Sequence, residues 1–236
     1  MLVFGRNVAY EFLKKNEKVK KIYLQDNFGD KNIISLIEKS EIPVEVKKKY
    51  ELDRLAEKNH QGIILFVDDF VYCDVDKFLD KEDAFVVILD HIEDPHNLGA
   101  IIRTCEASGV TGIILPKNRS VSVNATVMKT SAGALENIDI ALVSNLKSTI
   151  EKLKKNGFWI VGTDMEGSDY RTIDYSGKTA IVIGSEGFGM SHIVEESCDF
   201  IAKIPMYGKV NSLNASVAAG IVIYEIVNQK NSNGMD

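Results

Sequence analysis

The sequence lacks any apolar run long enough to cross a membrane. Its longest apolar stretches, such as AIVIG and AAGIVIY, have the length of buried strands and helices. The first residues, MLVFGRNVAYEF, also lack the basic region, long apolar region and small cleavage residues of a signal peptide. We therefore expect a cytoplasmic protein with no membrane partner.

Cysteine is scarce as well. Cys73, Cys105 and Cys198 are far apart in the chain and form no CxxC pair. This spacing excludes a cysteine-based metal cluster, and the odd number argues against a disulfide framework. We predict no metal site and expect the three thiols to be reduced residues of the core or of no functional consequence.

Positive charge is in deficit, since 28 Lys and Arg against 34 Asp and Glu give a net charge of −6. That total argues mildly against a nucleic-acid partner, because phosphate binding requires Lys and Arg. The distribution differs, because residues 1–60 hold 13 basic and 10 acidic side chains. The basic excess lies in KKNEKVKK at 14–21 and KKK at 47–49, and alone it indicates only a solvated face.

Two series of alternating helices and strands are present, and they predict two domains. Residues 1–67 predict a small α/β domain, with helices at 7–16, 30–40 and 50–59, strands at 21–25, 43–48 and 62–67, and Asp30 as a helix cap. The acidic residues 68–83 have broken periodicity and are predicted as a linker.

Residues 84–236 predict a second α/β domain. Predicted strands are 84–90, 112–116, 138–143, 158–164, 179–184 and 200–205, and predicted helices are 97–109, 122–136, 145–157, 191–198 and 212–230. The strands are almost wholly apolar, which is typical of a parallel sheet covered on both faces.

Three strand ends in this sheet carry unusual residues, and ligands of open parallel sheets bind at that edge. The segments are DHIEDPHNLGAIIR, IVIGSEGFGMS and IPMYGKVNSLNASVAAG. Each has an ordinary structural interpretation by itself: Asn97 as a helix cap, the glycines as turn residues, and Ser212 or Asn211 as the cap of the last helix. Three such ends in one sheet favour a site.

The segments NLGAIIRTCEASGV, IVIGSEGFGMS and IPMYGKVNSLNASVAAGIVIYE resemble the three motifs of the SpoU (TrmH-type) RNA 2′-O-ribose methyltransferases, in the family's order and spacing. FGRNVAYEFL and HQGIILFV near the start resemble the substrate-binding domain of the RlmB-like branch, which methylates a guanosine ribose in 23S ribosomal RNA. The resemblance covers essentially the whole chain.

The resemblance implies a fold that periodicity does not. It predicts a C-terminal parallel sheet with a deep trefoil knot of the SPOUT type, although knots are rare. It also predicts a small N-terminal α/β domain for RNA substrate binding, and a homodimer with the site near the knot and the subunit interface. The small residues of the last helix suit close helix contact there.

The implied reaction transfers a methyl group from S-adenosylmethionine to a ribose 2′-hydroxyl, which DNA lacks. By resemblance, Arg103 would lie beside that hydroxyl and contact a phosphate. We expect it to orient the substrate, because arginine is difficult to deprotonate. Asn97 would hold Arg103 or the substrate, and Glu186 would pair with Arg103. Ser212 and Asn214 would complete the site.

The same resemblance places the cofactor against backbone groups and apolar walls. The positions that match are Leu115, Thr163, Gly184, Ile204, Met206 and Leu213. Lys117, Arg119 and Lys129 are equally consistent with RNA contact and with a solvated surface.

Three alternatives stay open on the sequence alone. The same chemistry could act on transfer RNA or on an antibiotic-binding ribosomal site, although transfer-RNA members commonly lack a separate first domain. A non-catalytic RNA-binding protein could have lost Arg103, Glu186 or Asn214, yet all three are present. A nucleotide-dependent oxidoreductase would need an early GxGxxG, which is absent.

Overall fold

The computed structural model describes residues 1–14, 19–56 and 59–233. The chain packs as two units, Met1–Val71 and Tyr72–Asp236. Residues 15–18 of the basic run, which include the end of the helix predicted at 7–16, lie outside the described residues, as do residues 57 and 58 of the helix predicted at 50–59.

The first unit is a four-stranded sheet with helices between its strands. Its elements are β1 (Leu2–Phe4), α1 (Arg6–Lys14), β2 (Val19–Gln25), α2 (Lys31–Glu38), β3 (Val44–Lys47), α3 (Lys49–Leu55) and β4 (Ile63–Val67). The strand order is β1-β4-β2-β3, with β2 and β3 parallel and β4 antiparallel to both neighbours. Strand β1 was not predicted, because three residues are too few to show alternation and its pairing partner lies some sixty residues away.

Asp30 caps α2 as predicted. Its Oδ1 accepts hydrogen bonds from the backbone N–H groups of Asn32 and Ile33 at 3.1 and 3.3 Å. These bonds satisfy donors that the first helical turn leaves without intrahelical partners.

The second unit contains a six-stranded sheet. Its elements are α4 (Asp76–Leu79), β5 (Phe85–Leu89), α5 (Pro95–Ala107), β6 (Gly112–Pro116), α6 (Ala125–Thr130), β7 (Ile140–Val143), α7 (Leu146–Lys155), β8 (Trp159–Asp169), β9 (Thr179–Ile183), α8 (His192–Glu195), β10 (Phe200–Lys203) and α9 (Ala215–Asn233).

The sheet order is β10-β8-β9-β5-β6-β7, and every neighbouring pair is parallel. Every residue of β5, β6 and β9 is buried, as expected for strands covered on both faces. The predicted α/β fold with a parallel C-terminal sheet and a small N-terminal unit is confirmed, whereas the trefoil knot stays a prediction. No helix in the described residues is long and apolar enough to span a membrane.

The segment predicted as a linker, residues 68–83, is divided between the two units. From Tyr72 onward it belongs to the second unit, where Val75 and Phe78 are buried in the same cluster as Val86. A Cβ at Gly112 would lie 2.3 Å from a ring carbon of Phe78. The apolar residues at 75 and 78 share one helical face, and α4 packs that face against the sheet.

Two predicted boundaries differ because of backbone conformation. The helix predicted at 122–136 ends at Thr130 and is followed by a 3₁₀ turn, Ala134–Glu136, since Ala132 and Gly133 adopt φ of +52° and +92°. Strand β8 continues into the predicted loop, because β10 pairs Ile201 with Gly162 and then Ala202 with Ser168. Residues 163–167 therefore bulge out of the ladder.

Candidate functional site

Three side chains from distant segments meet at the carboxyl edge of the sheet. Asn97 Nδ2 donates to Glu186 Oε1 at 3.0 Å, and Asn214 Nδ2 donates to Asn97 Oδ1 at 2.9 Å. Asn214 Nδ2 also contacts Glu186 Oε1. The three motifs therefore converge as the sequence predicts, and we call Asn97, Glu186 and Asn214 the polar cluster.

Asn97 is free to join the polar cluster because it does not cap its helix. The cap of α5 is Asp94, whose Oδ1 accepts from the N–H of His96 at 2.8 Å, and Pro95 occupies the first helical position. Asn97 consequently lies in the first turn, buried, with its side chain turned toward Glu186.

Asn214 serves both the last helix and the polar cluster. Its Oδ1 accepts from the N–H groups of Ser216 and Val217 at 3.0 and 3.3 Å, so it caps α9 where Ser212 or Asn211 was expected. The N–H of Ala215 donates to Glu186 Oε1 at 3.3 Å. The positive end of α9 thus stabilises the carboxylate of Glu186.

Glu186 lies in a tight hairpin at residues 185–189. Ser185 N donates to Gly189 O at 2.9 Å, and Gly189 N donates back to Ser185 O at 3.0 Å. A Cβ at Gly184 would lie 2.2 Å from the carbonyl carbon of Gly189, whose own φ is +65°. Both glycines are therefore required, and they place Glu186 and Phe188 at the turn.

A buried carboxylate, which the sequence did not single out as functional, fixes the segment that follows this hairpin. Asp90 is fully buried, and its Oδ2 accepts from the N–H and the Oγ–H of Ser191 at 2.7 and 2.8 Å. Its Oδ1 makes no conventional hydrogen bond and lies against Nδ1 of His91, which has φ +61°. Asp90 directly follows a wholly apolar strand in the sequence, and this position indicates a buried carboxylate. Buried carboxylates are usually paired, so the sequence signals that Asp90 has a partner.

Arg103 does not join the polar cluster. It is exposed on α5, and within the described residues its guanidinium makes no hydrogen bond or ion pair. The expected pairing of Arg103 with Glu186 or Asn97 is therefore not made within this chain. Arg103 comes six positions after Asn97 in the helix, and this offset turns the two side chains to different faces.

A cavity of about 450 Å³, the first cavity, opens on one side of the hairpin. Five of the six residues expected at the cofactor line it, namely Thr163, Gly184, Ile204, Met206 and Leu213, and so does Ser212. Leu115 does not, because it is fully buried within β6. Thr163 Oγ1 donates to Val182 O at 2.9 Å and ties β8 to β9 at the cavity floor.

The first cavity fits S-adenosylmethionine in size and in chemistry. Its volume is in the range of small-molecule sites, and the side chains of Ile204, Met206 and Leu213 offer apolar surface to a flat adenine. Asp164 and Lys203, which the sequence did not single out, also line it. Their opposite charges match the ammonium and carboxylate of the methionine moiety.

A second cavity, of about 530 Å³, opens on the other side of the hairpin. Its lining includes His91, Glu93, Asp94, Asn97, Arg119 and Phe188. Glu186 lines both cavities, so the polar cluster stands between them.

Two family models match this chain. The SpoU rRNA methylase family matches residues 84–224, and the RNA 2′-O ribose methyltransferase substrate-binding family matches residues 2–73. A protein named as a TrmH-family tRNA/rRNA methyltransferase in Staphylococcus saprophyticus is 45% identical over 243 residues, covering 99% of this chain and 98% of that protein.

Solved structures agree. The SpoU methyltransferase AviRb from Streptomyces viridochromogenes, in complex with AdoMet, matches 97% of this chain and 89% of its own, at TM-score 0.79 and 27% identity. The TrmH/SpoU tRNA modifying enzyme of A. aeolicus matches 67% of this chain and 82% of its own, at TM-score 0.60 and 33% identity. The chain belongs to the SpoU rRNA methylase family, and it is an RNA methyltransferase that uses S-adenosylmethionine.

Proposed function

We propose that this enzyme methylates the ribose 2′-hydroxyl of a guanosine in 23S ribosomal RNA. The observation that carries the proposal is the position of the polar cluster between a cavity that fits the cofactor and a second cavity that is open to a substrate. A hydroxyl held at the polar cluster would lie at the boundary between the two.

S-adenosylmethionine supplies an electrophilic methyl group on its sulfonium. The chain must then align the hydroxyl oxygen and help its proton to leave. We assign alignment to the polar cluster, since the hydrogen bonds that fix Glu186 all reach Oε1. In the part of the chain that the structure describes, Oε2 is left to accept a bond from the substrate. Ser212, at the rim of the first cavity, would complete the site that binds the substrate.

Arg103 needs a second copy of the chain in this proposal. It lies on α5, which packs against α9, and α9 exposes Val217 and Tyr224, each about half exposed. Apolar side chains on an exposed helix face support a homodimer built on α9. Such an interface would bring Arg103 to the polar cluster of the partner, where it would orient the ribose and its phosphate.

We propose that the first unit, Met1–Val71, binds the RNA. On its sheet, the ammonium groups of Lys21 and Lys47 lie 5.2 and 5.4 Å from the ring centre of Tyr23. Glu45 contacts both lysines through its carboxylate, and these bonds lower the pKa of that carboxyl to about 2. Tyr23, Lys21 and Lys47 are partly exposed. Aromatic and basic side chains that reach the surface are the groups that single-stranded RNA binds.

Ribosomal RNA is favoured over transfer RNA by coverage. The match to the tRNA modifying enzyme of A. aeolicus leaves about a third of this chain without a counterpart. The match to an rRNA methyltransferase from Sinorhizobium meliloti, at 26% identity and TM-score 0.73, covers 96% of this chain. The relative from Staphylococcus saprophyticus carries both RNA classes in its name, so transfer RNA is the second candidate. Either RNA would be met in the cytoplasm, where we propose that the enzyme acts.

The test uses two reactions, each with the protein and methyl-labelled S-adenosylmethionine. One reaction contains unmodified 23S RNA and the other contains unmodified transfer RNA. The labelled nucleotide is then mapped. We expect label on one guanosine ribose of 23S RNA. Label in transfer RNA alone would show that transfer RNA is the target. Label on a base would refute methyl transfer to the 2′-hydroxyl. RNA binding without any label would refute both 23S RNA and transfer RNA as the target.

A further inference from the structure

Among the described residues of the second unit, Phe188 is the most exposed large apolar side chain, with 96% of its surface accessible. It lies at the tip of the 185–189 hairpin, two residues after Glu186. Burying a phenylalanine is strongly favourable, and an aromatic side chain held out in water beside a site is a typical anchor for a ligand.

The hairpin holds Phe188 in place. The two backbone bonds between Ser185 and Gly189 close the turn, and Asp90 fixes the next segment through Ser191. Phe188 lines both cavities, so its ring stands beside the polar cluster rather than on a remote surface. Within the described residues it makes no aromatic or cation–π contact.

The second cavity has the chemistry of a nucleobase site rather than of a phosphate site. Arg119 and His91 offer donors, whereas Glu93 and Asp94 offer carboxylate acceptors. The two carboxylates would repel a phosphate, but they can accept hydrogen bonds from the imino and amino groups of a base such as guanine. The volume of the cavity is ample for one base.

We propose that the second cavity binds the base of the nucleotide that is methylated, and that Phe188 stacks on that base. The inference rests on the proposed 2′-O-methyl transfer to RNA. Stacking on Phe188 would hold the base in place while the polar cluster holds the ribose hydroxyl of the same nucleotide. Glu93 and Asp94 would select among bases through their edges.

The first test uses Phe188→Ala and Phe188→Tyr on the RNA that carries the mapped target. We expect kcat/KM to fall about 10- to 100-fold for Phe188→Ala and to change less than about threefold for Phe188→Tyr, because base–aromatic stacking has that magnitude. Cofactor affinity is measured separately by calorimetry, because Phe188 also lines the first cavity. A loss of cofactor affinity as large as the loss of kcat/KM would overturn the stacking role. Trp159→Ala is the matched control, since Trp159 is half-exposed and lines neither cavity.

A target RNA that keeps the ribose but lacks its base sharpens this test. The wild-type enzyme should lose at least as much activity on this RNA as Phe188→Ala loses on the intact RNA, because the contacts of the base with Glu93 and Asp94 are lost as well. On the RNA without its base, Phe188→Ala and wild type should have the same activity. If the loss caused by Phe188→Ala and the loss caused by removing the base multiply when both changes are combined, the stacking role is overturned. A wild-type enzyme without activity on any RNA would instead refute the proposed function, so the two failures are distinguishable.

A binding readout is available because Trp159 is the only tryptophan of the chain. The double variant Trp159→Phe, Phe188→Trp carries one tryptophan at the hairpin. Its emission should be quenched when target RNA is added with S-adenosylhomocysteine, and unchanged by the RNA without its base. Unchanged emission with bound target RNA would overturn the proposal. So would a change that follows protein concentration alone, which would place a second copy of the chain on Phe188.

Discussion

The amide of Asn214 serves two elements with its two ends. Oδ1 caps α9, and Nδ2 reaches Asn97 and Glu186. Because the acceptor and the donor have different tasks, helix stability and catalysis can be separated at this one position.

Asn214→Ala should lower both the stability of the fold and the rate of methyl transfer, whereas Asn214→Ser should lower only the rate of methyl transfer. Alanine removes the cap and costs about 1 kcal/mol of unfolding free energy, while serine can still cap. Neither variant supplies the amide donor, so both should lose methyl transfer by at least about tenfold. Urea unfolding and a methyl-transfer assay measure the two effects. Full activity in Asn214→Ser would refute a role for the donor.

Arg103→Ala should abolish methyl transfer and leave cofactor affinity within about twofold of wild type. Arg103 is exposed and does not line the first cavity, so its loss does not alter the walls that hold the cofactor. Calorimetry with S-adenosylmethionine and a transfer assay separate the two. Parallel loss of both would contradict the role assigned to Arg103.

The convergence of Asn97, Glu186 and Asn214 could be predicted at the level of residues, because parallel strands end at one edge. The partner that Asn97 binds could not. Pro95 at the first helical position indicates that Asp94 caps α5 and frees Asn97, but nothing in the sequence pairs Asn97 with Glu186. The exposure of Phe188 depends on the closed hairpin, which only the fold reveals.

Among the elements, the contact between α5 and α6 depends on one glycine. A Cβ at Gly99 would lie 1.8 Å from Oγ1 and 2.7 Å from Cβ of Thr130. The two helices can approach this closely only with hydrogen at that position. Since α5 also carries Asn97, the packing of α6 contributes to the position of the polar cluster.

Gly99→Ala should therefore destabilise the fold by about 1–3 kcal/mol through overpacking. Gly220→Ala in α9 is the matched control, because its Cβ would meet only Thr104 Cγ2 at 4.0 Å. There the higher helix propensity of alanine should leave stability unchanged or raise it by up to about 1 kcal/mol. Thermal unfolding of both variants checks the contrast, and equal destabilisation would contradict it.

Strong elements were predictable and irregular ones were not. The six strands of the second sheet follow from their apolar runs. The extension of β8 does not, because its residues 168 and 169 are held by a shifted register against β10 rather than by any pattern of their own. The end of α6 depends on two left-handed residues, of which only Gly133 gives a signal in the sequence.

For the whole molecule, burial makes the three thiols unreactive. It raises the pKa of Cys198 to about 12, and it raises the pKa of Cys105 and Cys73 as well. The thiolate is the reactive form, so at pH 8 the folded protein should be alkylated at least about tenfold more slowly than the urea-unfolded chain. Mass spectrometry of each cysteine measures this. Equal rates at Cys198 would contradict its burial.

The same shifts set a direction for stability at alkaline pH. A thiol with a raised folded pKa contributes stability that is complete below its unfolded pKa of about 8.5 and is lost as pH rises. For Cys198 the loss extends from there to about pH 12.

The segment before β5 has a consequence for any shortened version of the enzyme. Cys73 N donates to Ile140 O at 2.9 Å along the outer edge of β7, and Phe78 fills the space over Gly112. A fragment that starts at residue 84, where the SpoU match begins, would expose the outer edge of β7 and the apolar surface around Gly112 that Phe78 covers. We expect that fragment to aggregate on expression and one that starts at residue 72 to stay monodisperse by light scattering. The catalytic unit thus carries its own protection against aggregation through the β7 edge, in residues 72–83 that the SpoU match leaves out.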